Sequence, residues 1–225
     1  MPQKECRVDR RAFIRTAGTL CVGLGLVGNE AAFAQKSAIL PPPSLPGGKT
    51  LEEALRARQS IRSYTEQDLP GEVLSGLLWA ACGINRKESG KRTAPSAVNK
   101  QEIDVWVAKK DGFFLYDAKD HALVPKGDAD IRALTGTQSY VPTAPLDLVY
   151  VADMSKVAGK TEEEKSNLAW ADTGYISQNV YLYCAVMGLG TVVRASIDYP
   201  ALSKAMGLPA NQRVIMAQCV GYPKA

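Results

Sequence analysis

Residues 171–198 read ADTGYISQNVYLYCAVMGLGTVVRASID. Ile176, Val180, Tyr183 and Met187 recur three and four positions apart, which is the period of one helix face turned to a core. Extended back to residue 162, the pattern predicts one long helix over 162–187, ended by Gly188. Gln178 and Asn179 interrupt the apolar run and are expected to be paired inside the molecule or at an interface. After Gly188-Leu189-Gly190 the period shortens to that of a strand, TVVRAS. The glycines therefore end a helix and open a strand, the reverse of the order a dinucleotide-binding fingerprint requires.

Working outward, the remaining elements mix without strict alternation. Thr50 with Glu53 forms a capping-box pattern for a short helix, LEEALRAR. RQSIRSY (58–64) reads as extended. A second helix opens at Asp68-Leu69-Pro70-Gly71 and runs to about Ala81, with Val73, Leu74, Leu77, Leu78 and Ala81 at helical spacing. Residues 83–100 read as polar loop. EIDVWVAKKDGFFLYDAKDHALVP (102–125) alternates and turns twice, at Lys110-Asp111-Gly112 and near Asp117–Asp120, as an antiparallel meander does. DADIRALTG is expected as a short helix, PLDLVYVAD as a buried strand, Tyr199 to Leu208 as a last helix and RVIMAQCVGYP as a last strand. Together these give an α+β fold with a central, mostly antiparallel sheet flanked by helices.

The ends of the chain differ in kind from this body. Lys4, Arg7, Arg10, Arg11 and Arg15 precede an apolar stretch, TAGTLCVGLGLVG (16–28), and Ala32-Phe33-Ala34 resembles a cleavage site, so residues 1–34 read as an export signal. DRRAFI (9–14) resembles the twin-arginine type. This predicts use of the twin-arginine export machinery and a periplasmic protein. Residues 35–49 follow as a Pro/Gly-rich linker, an extended arm, and 50–225 form one domain.

The whole chain carries 27 Lys+Arg and 23 Asp+Glu; five and three of these lie in residues 1–34, leaving 22 against 20. A net charge of that size, with no basic stripe and interleaved aromatics, does not point to nucleic acid. Cys82, Cys184 and Cys219 form no C-x-x-C motif and read as buried apolar fillers. His121 is the single histidine. No histidine cluster for a metal exists, and the setting DAKDHALV predicts a solvated turn.

Two stretches carry chemistry. In extended backbone Arg58, Ser60 and Arg62 share a face, and two guanidinium groups with a hydroxyl suit an anionic ligand through charge-assisted bonds. In TAPSAVNKQ (93–101), the small side chains of Pro95-Ser96-Ala97 and the amides of Asn99 and Gln101 can lie against a flat ring and read its edge.

In this order and spacing the motifs resemble the nitroreductase family of FMN flavoproteins over about residues 50–223. They are Arg58 to Tyr64, Pro95 to Gln101, Asp172 to Asn179, Gly188 to Thr191, and Gly221 to Pro223. The resemblance implies a homodimer with FMN bound at the subunit interface. It assigns phosphate contacts to Arg58 and Ser60, with Gln59 beside them, and the N1–C2 edge of the ring to Arg62. Pro95, Ser96, Ala97 and Asn99 would come from the partner subunit, and the backbone at Arg194, Ala195 and Ser196 would face N5. Many relatives carry basic residues several positions beyond Gly-Tyr-Pro; here only Lys224 stands there. The implied activity is transfer of hydride or electrons through flavin N5 to or from a small organic substrate, with no catalytic side chain and no metal. The donor is NAD(P)H, a quinol or a protein. A flavin oxidase or dehydrogenase of the azoline-oxidising type and a non-catalytic electron carrier are the alternatives.

Overall fold

The computed structural model describes residues 37–45 and 49–224; the signal read at 1–34 lies outside them. Nine strands and four α-helices follow one another among the described residues, with short 3-10 turns between them. Seven strands form one sheet: β1 (Ala38–Ile39), β4 (Ile103–Lys109), β5 (Gly112–Asp117), β6 (Ala122–Gly127), β7 (Leu146–Asp153), β8 (Gly190–Arg194) and β9 (Gln212–Gly221). Their order is β1-β6-β5-β4-β7-β9-β8, and every pairing is antiparallel. All eight residues of β7 are buried, as its near-continuous apolar sequence requires for a strand covered on both faces.

The helices are α1 (Leu51–Ala57), α2 (Gly71–Cys82), α3 (Glu162–Met187) and α4 (Tyr199–Ala205). On one face of the sheet, Leu74, Leu77, Leu78 and Ala81 of α2 and Ile176, Val180 and Tyr183 of α3 pack on Val105, Val107, Leu148 and Tyr150. On the other face Leu202 and Met206 pack on Val149, Val151 and Ala217. Gly76 allows α2 and α3 to come close, since a Cβ there would sit 2.5 Å from the Tyr183 hydroxyl. The expected cap of Thr50 with Glu53 is formed, and Thr161 with Glu164 forms a second capping box at the start of α3. Gly188 closes α3 at φ 68, in the left-handed region that only glycine enters without cost.

Several expectations are revised. The arm at 35–49 contributes a strand, β1, to the sheet edge, paired with β6. The polar segment 83–100 contains a two-stranded ribbon, β2 (Ile84–Arg86) and β3 (Lys91–Arg92), and a 3-10 turn at Ala97–Asn99. DADIRALTG forms only a 3-10 turn at Arg132–Leu134, and α4 ends at Ala205 rather than Leu208. Gln178 is exposed and Asn179 half-buried, and among the described residues neither side chain has a partner, which leaves the interface of the two expected settings.

His121 is not a solvated turn residue. Its Nδ1 lies 2.9 Å from the Tyr116 hydroxyl, and its Nε2 lies 2.8 Å from Ser75 Oγ and 3.1 Å from the Pro41 carbonyl. Ser75 is fully buried and donates to Pro41 at 2.6 Å, so the Ser–His pair has no access to a substrate. It is a clasp that holds the arm. Cys82, Cys184 and Cys219 are buried and free, and burial pushes the Cys82 thiol up to about 11.

Candidate functional site

Residues 58–65 run as extended chain between α1 and α2, laced to the far edge of the sheet. Ile61 N–H donates to Thr191 O at 3.0 Å, Thr65 N–H to Tyr222 O at 2.9 Å, and Lys224 N–H to Ser63 O at 3.1 Å. Tyr64 bridges Pro223. The RQSIRSY, Gly-Leu-Gly-Thr and Gly-Tyr-Pro motifs are thereby brought together.

Tyr181 of α3 is the platform of this region. The Arg58 guanidinium carbon stands 5.3 Å from its ring centroid, within cation–π range. Its hydroxyl accepts the Val193 N–H at 3.0 Å and lies 3.0 Å from Ser60 Oγ. If the phenol donates to Ser60, the serine keeps its own proton for a ligand. The sequence carried no signal for Tyr181 beyond a hydroxyl on an apolar helix.

Arg62 and Lys224 line a common cavity of about 480 Å³ with Tyr140 and Ser139. Gln59 and Ile61 line a separate cavity of about 220 Å³ beside Tyr181 and Lys49. The expected single face of Arg58, Ser60 and Arg62 is thus divided: the first two meet at Tyr181, and Arg62 joins Lys224. Among the described residues none of Arg58, Arg62 and Lys224 has a carboxylate partner.

The Pro95–Asn99 segment sits elsewhere. Ala97 N–H donates to Asp172 Oδ2 at 2.8 Å, and Ser96 Oγ accepts from Gln101 N–H at 2.8 Å. The Asn99 side-chain oxygen accepts from Gln101 Nε2 at 3.1 Å. Pro95 and Asn99 are exposed. Asp172 and Tyr181 lie nine positions apart on α3, about 13 Å along its axis at 1.5 Å per residue. The two groups of predicted site residues are anchored at different levels of that helix.

Arg194 turns its side chain into the core. Its Nη2 donates to Asp147 Oδ1 at 2.9 Å and to Thr135 Oγ1, and both members of the ion pair are buried. Burial pushes the Asp147 carboxyl up, and the guanidinium opposes that shift. Only the backbone of Arg194 is left for a cofactor; Ala195 and Ser196, just beyond β8, are exposed. Among the described residues no group of three or more His, Cys, Asp or Glu is placed to hold a metal.

An antiparallel sheet with α3 across one face defines the class: an α+β domain. The chain belongs to the nitroreductase family, whose model matches residues 55–222. A protein of Methanocaldococcus jannaschii named as a nitroreductase is 30% identical over 152 residues, covering 63% of this chain and 76% of that one. A crystal structure from Ralstonia eutropha, described as a nitroreductase, matches at TM-score 0.80 and 39% identity over 84% of this chain and 90% of that one. The NADPH:FMN oxidoreductase of Vibrio harveyi, complexed with NAD+, matches at TM-score 0.59 and 21% identity over 78% of this chain and 69% of that one. At that identity the last likeness concerns the fold.

Proposed function

We propose that this protein is an exported, FMN-dependent oxidoreductase that works as a homodimer. The observation that carries the reading is the set of cations without carboxylate partners, Arg58, Arg62 and Lys224, beside Ser60 on its Tyr181 platform. A flavin phosphate needs such donors, and Arg supplies them in pairs. The residues fit the group. Arg58 and Ser60 bind the phosphate end, with Gln59 alongside; Arg62 holds the ring edge; Lys224 adds a second cation. When bound, FMN supplies hydride or electron transfer at its N5 atom, so no general acid or base need come from the chain. Arg62 is the residue by which the protein tunes that chemistry, because a cation near N1 favours the anionic reduced ring.

Homodimerisation brings Pro95, Ser96, Ala97 and Asn99 to the flavin of the other subunit. The separation of Asp172 from Tyr181 along α3 favours this arrangement. So does the outer face of α3, where Leu182, Val186 and Met187 line a groove of about 540 Å³ with Trp79, Leu51 and Asn179. The substrate is a small organic molecule stacked on the ring, and the donor is NAD(P)H, a quinol or a protein.

The direct test is FMN titration of the purified protein. Arg58→Ala removes charge-assisted bonding of about 1.5–3 kcal/mol, a tenfold or greater loss of affinity. Unchanged affinity removes Arg58 from the site. Anaerobic mixing of the yellow protein with NADH, NADPH and quinols, followed by flavin bleaching, identifies the donor.

A further inference from the structure

Strand β8 stands at an edge of the sheet, and past Arg194 its chain leaves the ladder as Ala195-Ser196. Both residues are exposed, yet their carbonyls are engaged. The Tyr199 hydroxyl donates to Ala195 O at 2.8 Å. The Thr137 N–H donates to Ser196 O at 3.0 Å, and the Thr137 hydroxyl reaches the same oxygen at 3.4 Å. Among the described residues neither the Ala195 N–H nor the Ser196 N–H has an acceptor within the chain.

A trans peptide group is planar, with its N–H and C=O pointing in opposite directions. The Tyr199 bond to Ala195 O therefore fixes the Ser196 N–H on the other side of the same plane. Turning that peptide over would break the Tyr199 bond and pull on the next peptide, which Thr137 holds. The stretch offers donors outward and keeps its acceptors tied back.

The ties are themselves anchored. Tyr199 opens α4, which Leu202 packs into the core. Thr137 stands in a loop that the Thr135 hydroxyl fastens to Arg194 Nη2, and Arg194 is held in turn by the buried Asp147. Gly136, between the two threonines, has no room for a side chain, because a Cβ there would run into Arg194 Nε. Two residues past Thr137 the same loop supplies Ser139 and Tyr140 to the cavity of Arg62 and Lys224. Two residues before Ala195, Val193 gives its N–H to Tyr181, on which Arg58 and Ser60 meet. Short stretches of chain thus join the free N–H groups to both parts of the cation site.

We propose that Tyr199 and Thr137 are positioning residues: by holding the Ala195 and Ser196 carbonyls they keep N–H groups, and no carbonyl, turned to the flavin N5 atom. The proposal rests on the function proposed above, with this stretch at N5. That atom carries a lone pair in the oxidised ring, which accepts, and a hydrogen in the reduced ring, which donates. A stretch locked with its donors outward therefore holds the oxidised ring better, and hydrogen bonds to ring nitrogens are one means by which a protein sets a flavin's potential. The lock keeps the potential down and opposes Arg62, whose charge favours the reduced ring.

The test is the potential of FMN bound to the full chain, measured anaerobically with dithionite against a reference dye, in the natural protein and in Tyr199→Phe. Phenylalanine keeps the ring and loses the hydroxyl, so Ala195 O becomes free to turn and accept from the reduced N5. The ratio of affinities for reduced and oxidised FMN should rise by about tenfold, read as a shift of about 30 mV to higher potential for a two-electron couple. A change that merely loosens the site weakens both forms alike and leaves the potential where it was. Where Tyr199→Phe does not fold, Gly136→Ala decides in its place: its Cβ displaces the loop that carries Thr137, and the potential should rise likewise. An unchanged or lower potential in the deciding variant overturns the proposal while the flavin reading stands. Failure of the natural protein to bind FMN in titration brings down both.

Discussion

Arg194 shows how the side chain and the backbone of one residue can serve different ends. Its place after Gly-Leu-Gly-Thr marks it as a neighbour of the site, and a free arginine there would suggest a ligand. The structure instead spends its side chain on Asp147 and Thr135, tying the end of β8 to β7 and to the loop before Val141. Removing one partner of a buried ion pair strands the other charge, which costs about 3–5 kcal/mol. Arg194→Met should therefore lower the urea midpoint sharply, while the double variant Arg194→Met, Asp147→Leu should recover most of the loss. If the double variant is as unstable as the single one, the pair is not what the position requires. Asp147 was hidden in the sequence because it sits within an apolar strand, where nothing local distinguishes a paired acid from the strand's polar end. Tyr181 was hidden for the same reason: its role needs Arg58, Ser60 and Val193, which come from two other parts of the chain. By contrast Arg58, Ser60 and Arg62 stand out as candidates because they are charged or hydroxyl side chains in one short motif, and Lys224 only through the family resemblance.

At the scale of elements, the arm is the part most exposed to solution conditions. Leu40 N–H donates to the His121 carbonyl at 3.0 Å, and the His121 ring joins Ser75, Tyr116 and Pro41 in one cluster. Burial lowers the pKa of His121 from its ordinary value of 6.5. The unfolded or released state therefore takes up a proton first as pH falls. The stabilisation of the clasp is complete above about pH 6.5 and is lost as acid drives the ring to charge. Exchange of the Leu40 amide, corrected for intrinsic rate, should be faster at about pH 5.5 than at pH 7.5. An unchanged rate would show that the clasp does not depend on the neutral ring. This arm and the 84–92 ribbon were not legible as strands, because β1 has two residues and β3 has two, and such short pieces become strands only through a partner that sequence periodicity cannot name. The long helix was legible to its ends because its signals are local: Thr161 and Glu164 cap the start, and Gly188 supplies the left-handed stop. The meander was legible because its turns are short and its strands alternate.

At the scale of the molecule, α3 is apolar on two sides. One side packs in the core through Ile176, Val180 and Tyr183, and the other carries Leu182, Val186 and the exposed Tyr175. In the proposed dimer a second copy of the chain would cover that side. Leu182→Glu should place a charge in the proposed dimer interface and shift sedimentation toward monomer, with FMN affinity falling in step because Ser96 and Asn99 then lose access to the other subunit. A variant that stays dimeric removes Leu182 from the interface. The proposed assembly bears on the proposed export, for Arg10 and Arg11 stand in DRRAFI. The twin-arginine route carries proteins already folded, as that class of signal is understood, whereas the general route threads them unfolded. Bound FMN stabilises only the folded state, by RT ln(1 + [FMN]/Kd), and FMN is charged and made inside the cell. A chain exported unfolded would reach a compartment where its cofactor is scarce; a chain that binds FMN first and leaves second would not. Replacing both arginines with lysine keeps the charge and removes the planar fork of donors, so the paired variant should accumulate in the cytoplasm as yellow holoprotein. Cell fractionation decides the matter. Arrival of the lysine variant in the periplasm at the original rate would mean that the signal is a general one, and that FMN is acquired after export.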